Sequence, residues 1–95
     1  TINEDKKYDF FKKEIYDEKE NTYIKLTKSE IIILELLINN INKIVPIEEI
    51  EFNLSPQEHK SEQAIKNIIH RLRMKLSKNS IYNVQGVGYI FKSDI

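Results

Sequence analysis

Ser61 to Lys78 reads SEQAIKNIIHRLRMKLSK, and the spacing of its aliphatic residues decides what the rest of the chain must be. Ile65, Ile68, Ile69, Leu72 and Leu76 recur at helical intervals. At about 100° per residue they fall within about 100° of arc, a single apolar stripe. Opposite the stripe lie Gln63, Asn67, His70, Arg71 and Met74, with Lys66, Arg73, Lys75 and Lys78 along the flanks. Glu62 is the only acid among them. One face of this helix is made to be buried. The other suits a polyanion that also offers hydrogen-bonding edges, as duplex DNA does.

Net charge is zero over 95 residues, which at first argues against such a partner. The distribution argues for it. Residues 1–59 hold 8 Lys+Arg against 13 Asp+Glu, a net of −5, whereas residues 60–92 hold 7 against 1, a net of +6. A basic C-terminal end on an acidic body is the electrostatic footprint of a nucleic-acid binder, and a solvated basic helix is its bland counterpart. The length fits one domain with a modest core. With no cysteine, disulfides and thiolate metal sites are excluded, and a reducing, cytoplasmic setting fits. No apolar run approaches the roughly 20 residues of a membrane span, and no signal peptide opens the chain. The chain begins at Thr1 rather than Met, as a fragment of a longer protein would.

Working back from the basic helix, Asn53 to Lys60 is a loop and Pro46 starts a short helix over Ile47–Phe52. Glu48 and Glu49 sit in its first turn, where the macrodipole favours acid. Ile44-Val45 fits a very short strand. Before it, Thr27-Lys28-Ser29-Glu30 is a capping box that opens a helix rich in Ile and Leu, buried around most of its circumference. Tyr8 to Leu26 concentrates β-branched and aromatic residues around a polar turn at Asp17–Asn21, which predicts an antiparallel sheet of three or four short strands. Residues 1–7 read as a linker remnant and residues 8–95 as the domain. After the long helix, Ile81–Val84 and Tyr89–Phe91 are strand-like, and Gly86 and Gly88, the only two glycines, mark the turn of a hairpin. The fold class is α+β: a sheet, three helices, then a hairpin.

That order describes a winged helix-turn-helix, and the residues make the likeness specific. Leu26-Thr27-Lys28-Ser29-Glu30, His70-Arg71-Leu72-Arg73-Met74-Lys75-Leu76 and Val84-Gln85-Gly86-Val87-Gly88-Tyr89 follow one another along the chain. Together they resemble the C-terminal DNA-binding effector domain of OmpR/PhoB-type response regulators of bacterial two-component systems, over about residues 8 to 92. The resemblance implies an N-terminal four-stranded sheet, and a C-terminal hairpin paired with a strand near Ile44-Val45. It also implies transcription regulation through binding to double-stranded promoter DNA, commonly as two copies, with a phosphorylatable receiver domain ahead of this chain. The sequence departs from the family in carrying Gln85 where the wing usually has Arg, Asn83 where it has Thr, and Pro46 at the second helix cap.

On this likeness the helix over residues 61–77 enters the major groove and the hairpin over residues 82–91 lies against the minor groove. Gln63, Lys66, Asn67, His70 and Arg71 are then the side chains that reach base edges. Lys60, Arg73, Lys75, Lys78, Asn83, Gln85, Gly86 and Tyr89 serve phosphates and the wing, which position without specifying. Arg73 has an alternative as a bridge to an acid of the N-terminal half, and Tyr89 as packing beneath the wing. The loop with Gln57, Glu58 and His59 is implied to touch RNA polymerase, a passive connector being the alternative. His59 and His70 lack ligand spacing, Gly86 and Gly88 precede a strand rather than a helix, and no catalytic constellation stands out. No metal, cofactor, membrane or small-molecule substrate is expected, nor an enzyme. The competing class keeps the fold but docks the basic helix on an acidic protein.

Overall fold

Two three-stranded antiparallel sheets flank three helices in a computed structural model that describes residues 6–54, 61–76 and 80–92. The first sheet has the order β1 (Lys6–Asp9), β2 (Glu14–Asp17), β3 (Thr22–Ile24). Its turns are made by short polar side chains. The Asp9 carboxylate accepts from the N–H groups of Phe11 and Lys12, and that of Asp17 from Lys19 and Glu20. Lys13 and Asn21 close the two turns at positive φ. The register aligns Tyr8, Ile15 and Ile24, so strand alternation turns this row toward the helices and leaves Tyr16 and Tyr23 outside. Strand β1 starts at Lys6, two residues before the expected domain boundary, and three strands rather than the implied four are present among the described residues.

Helix α1 (Lys28–Asn39) has the full capping box: Thr27 Oγ1 accepts from the Glu30 N–H, and the Glu30 carboxylate accepts from the Thr27 N–H. Ile33, Leu34 and Leu37 have no exposed surface, which makes α1 the centre of the core as its composition predicts. Asn40 ends it, donating from Nδ2 to the Leu36 carbonyl at 2.8 Å, and Asn42 at positive φ turns the chain away. Strand β4 (Ile44–Pro46) then leads directly into α2 (Ile47–Asn53), so Pro46 is both the last strand residue and the helix cap.

Ser61 caps α3 (Glu62–Lys75) by accepting from the Ala64 N–H. Ile65, Ile68, Ile69, Leu72 and Leu76 are all at most 6% exposed, so the apolar stripe is the buried face. At about 1.5–3 kcal/mol each, five such residues hold α3 on the domain with on the order of 10 kcal/mol of gross burial. The chain closes with β5 (Ile81–Val84) and β6 (Gly88–Phe91), and β6 takes the centre of the second sheet, between β4 and β5. Being paired on both edges, β6 is buried along its whole length. Gly88 is required there. A Cβ at this position would lie 2.0 Å from the Val45 carbonyl oxygen, across the β4–β6 ladder.

Candidate nucleic-acid interface

The outward side of α3 carries Gln63, Lys66, Asn67, His70 and Met74, all exposed, as the helical spacing requires. Gln63 Nε2 donates to Asn67 Oδ1 at 3.2 Å, an i,i+4 pair that aligns two amides on one row. Two recesses lie beside this ridge among the described residues. A groove of about 480 Å³ lies between α3 and the β5–β6 hairpin, lined by Glu62, Lys66, Asn83, Gln85, Gly86 and the start of α2. A shallower one of about 420 Å³, on the α1 side, is lined by Ser29, Ser61, Gln63, Asn67 and Arg71. The five residues expected to reach base edges therefore lie along one helix, beside a hairpin tip that exposes Asn83, Gln85 and Gly86.

Arg71 stands apart from the other four. Its Nε donates to Glu30 Oε2 at 3.1 Å, while Lys75 Nζ donates to Glu30 Oε1 at 2.7 Å. The Glu30 side chain is fully covered, whereas those of Arg71 and Lys75 are 50% and 29% exposed. Burial by itself raises the pKa of this carboxyl. The hydrogen bonds from Lys75, the Thr27 backbone and Arg71 outweigh it and hold Glu30 below its ordinary value, ionised at neutral pH. A bridge to an acid of the N-terminal half, the alternative given for Arg73, is made by Arg71, which was expected on base edges. Lys75, expected on phosphates, also donates to the Lys25 carbonyl at 3.1 Å, so its ammonium is held on both sides by the body of the domain. Two of the cations counted toward a polyanion thus neutralise a buried acid first.

Arg73 is half-buried and lies near enough to Tyr89 to act on its phenol. Tyr89 is 4% exposed, so its ring packs beneath the hairpin while its edge lines the groove. Burial first, then the nearby Glu62 carboxylate, raise the Tyr89 phenol against the opposing effect of Arg73. Lys60 and Lys78, and the loop residues Gln57, Glu58 and His59, lie outside the described residues.

Glu30 was visible in the sequence only as a capping residue. Its one further signal is chemical: an acid that opens a helix packed into the core must find a cation, and α3 is the basic element of the chain. Glu62, the lone acid of a basic helix, also lines the groove, and nothing in its spacing marks it as a site residue.

The hairpin is tied to the helices by its tip as well as its strands. The Ile47 N–H at the start of α2 donates to the Val87 carbonyl at 3.0 Å, and the Asn42 N–H to the Phe91 carbonyl at 2.8 Å. Among the described residues no helix is long and apolar enough to cross a membrane.

The chain is similar in structure to the DNA-binding domain of CssR from Bacillus subtilis, with a TM-score of 0.76 at 23% identity over 90% of this chain and 98% of that one. It is similar also to the DNA-binding domain of RstA from Klebsiella pneumoniae in complex with the RstA box, with a TM-score of 0.74 at 19% identity over 97% and 95%. The response regulator DrrB from Thermotoga maritima, an OmpR/PhoB homolog, gives a TM-score of 0.63 at 26% identity, covering 90% of this chain and 44% of that one. No curated protein matches the chain in sequence. The model of the family "Transcriptional regulatory protein, C terminal" matches residues 19–91, from the second turn of the first sheet to the end of β6. The chain belongs to that family, the winged helix-turn-helix effector domains of OmpR/PhoB-type response regulators.

Proposed function

We propose that the domain binds promoter DNA sequence-specifically as the effector of a bacterial two-component regulator, with α3 in the major groove and the β5–β6 hairpin at the adjacent minor groove. The observation that carries this is the division of α3 itself. Five aliphatic residues anchor one side, and Gln63, Lys66, Asn67 and His70 stand outward beside the exposed hairpin tip. A helix of about 10–12 Å diameter fits a groove about 12 Å wide, and amides and cations match the acceptors and donors displayed there. Family membership and the RstA domain seen on its box support the same partner.

In this reading Gln63, Lys66, Asn67 and His70 read base edges. Arg71 reaches the duplex only with the nitrogens that Glu30 leaves unused, and Lys75 acts by holding α3 in place. Arg73, Asn83, Gln85 and Gly86 approach the backbone. Receiver phosphorylation, pairing of two copies on repeated half-sites and contact of residues 57–59 with RNA polymerase belong to the full-length regulator, which acts in the cytoplasm.

Fluorescence polarisation with a labelled random duplex at two salt concentrations tests the proposal. Binding at low salt that weakens steeply with added salt is expected. No binding at low salt would leave the alternative, a protein-docking module.

A further inference from the structure

The groove between α3 and the hairpin is lined by two acids, Glu48 at the start of α2 and Glu62 on α3 itself, where a DNA-binding face should have none. Glu62 is exposed in the first turn of α3, lines the groove with Lys66, and lies near enough to Tyr89 to influence its hydroxyl. N-terminal residues of a major-groove helix are the ones that contact base edges. A carboxylate there is repelled by every phosphate it approaches, so it weakens binding unless a donor meets it.

We infer that Glu62 is a specificity-determining residue that accepts a hydrogen bond from the exocyclic amine of a cytosine at the hairpin side of the site. This rests on the DNA-binding reading above. An ionised carboxylate is acceptor-only. Guanine and thymine offer it only acceptors in the major groove, and adenine sets an acceptor, N7, beside its amine. Cytosine sets a neutral C–H there, so both carboxylate oxygens are tolerated. Lys66 lies four residues on, about 6 Å along the axis at 1.5 Å per residue. That is close to two base-pair steps of about 3.4 Å, so the pair would fix a cytosine and, two steps away, a guanine read through O6 and N7. Against other sequences Glu62 acts by repulsion, which lowers non-specific affinity.

A carboxylate in a first turn also stabilises its helix through the macrodipole. That role moves thermal stability and leaves base preference alone, so base preference is the measurement to make. Duplexes selected from a random pool by the 95-residue chain are compared with those selected by Glu62→Gln. The expected result is an invariant cytosine in the first pool that becomes adenine or loses preference in the second, because a glutamine pairs with adenine N6 and N7. Replacing that cytosine in the selected site should weaken the unsubstituted chain by at least about fivefold and Glu62→Gln far less. Glu62→Gln should also bind random duplex more tightly. Identical base preferences in two well-enriched pools would overturn the role of Glu62 and leave DNA recognition standing. A pool that the unsubstituted chain fails to enrich would overturn both.

Discussion

The carboxylate of Glu30 receives Lys75 at 2.7 Å on the oxygen that also accepts the Thr27 N–H at 2.9 Å. One oxygen therefore joins the cap of α1 to the last turn of α3, and Arg71 on the other oxygen completes the clamp. A single acid thus links the start of α1 to the last turns of α3, on top of the apolar packing between them. Its removal is predicted to act in two grades. Glu30→Gln keeps one acceptor oxygen for the cap and Lys75 but loses the charge and sets an NH2 group against the Arg71 donor, at a cost of about 1–2 kcal/mol, because the two cations are partly exposed and can rehydrate. Glu30→Ala also orphans the cap and opens a void, for about 2–4 kcal/mol. Urea unfolding of both variants checks the order, and equal losses would refute it.

The same carboxyl sets the acid limit. Glu30 is held below the ordinary value of 4.5, as is Glu35, which accepts hydrogen bonds from Lys13 and Tyr8. Both shifts are depressions in the folded state. Their stabilisation is complete above about pH 4.5 and is lost as pH falls through the folded values. Melting temperature should therefore drop steeply below that point, and the drop should be shallower in Glu30→Gln. At the other extreme the Tyr8 phenol is raised, chiefly by burial and then by Glu35. That contribution is present below pH 10.0 and fades as pH rises further.

Lys66 and Lys75 make a contrasting pair. Lys66 is exposed on the groove, and Lys75 is engaged with the domain. Lys66→Ala should leave thermal stability nearly unchanged while weakening binding and relaxing base preference. Lys75→Ala should do the reverse, lowering stability and leaving both base preference and the slope of log affinity against log salt close to their original values. A slope loss of about 1 in Lys75→Ala would return Lys75 to the phosphate contacts.

The two glycines separate in the same way. Gly88→Ala places a methyl against the Val45 carbonyl and forces β4 and β6 apart. Gly86→Ala meets nothing within 4 Å but keeps a φ of +79° that alanine resists. Costs above about 3 kcal/mol and of about 1–2 kcal/mol are expected respectively. Thermal melts decide, and a Gly86→Ala variant less stable than Gly88→Ala would contradict the geometry.

Local features are legible in the sequence. The Thr27–Glu30 spacing specified the capping box, and the 3.6-residue period of Ile65 to Leu76 specified which side of α3 is buried. The hairpin followed from its glycines. What stayed hidden is pairing across the chain. Glu30 is 41 residues from Arg71 and 45 from Lys75, and periodicity says nothing about which of several cations on one helix finds a given acid. The choice of Arg71 over Arg73 follows from their angular separation of about 160° around α3, which turns Arg71 toward α1 and Arg73 toward the hairpin. Strand β4, expected at Ile44-Val45, is three residues long, too short for alternation to fix its pairing, and it pairs with β6 of the hairpin as the resemblance implies.

The hydrogen bond from Ile47 to the Val87 carbonyl, at the mouth of the groove, has a mechanical consequence. With its tip latched to α2 and its inner strand wedged against β4, the hairpin is one jaw of a caliper whose gap is set when the chain folds. On the proposed docking, the DNA backbone that separates the two grooves meets a gap with little to rearrange, so the entropy of ordering both jaws is settled in advance, and a misfit of width shows as lost affinity rather than as adaptation.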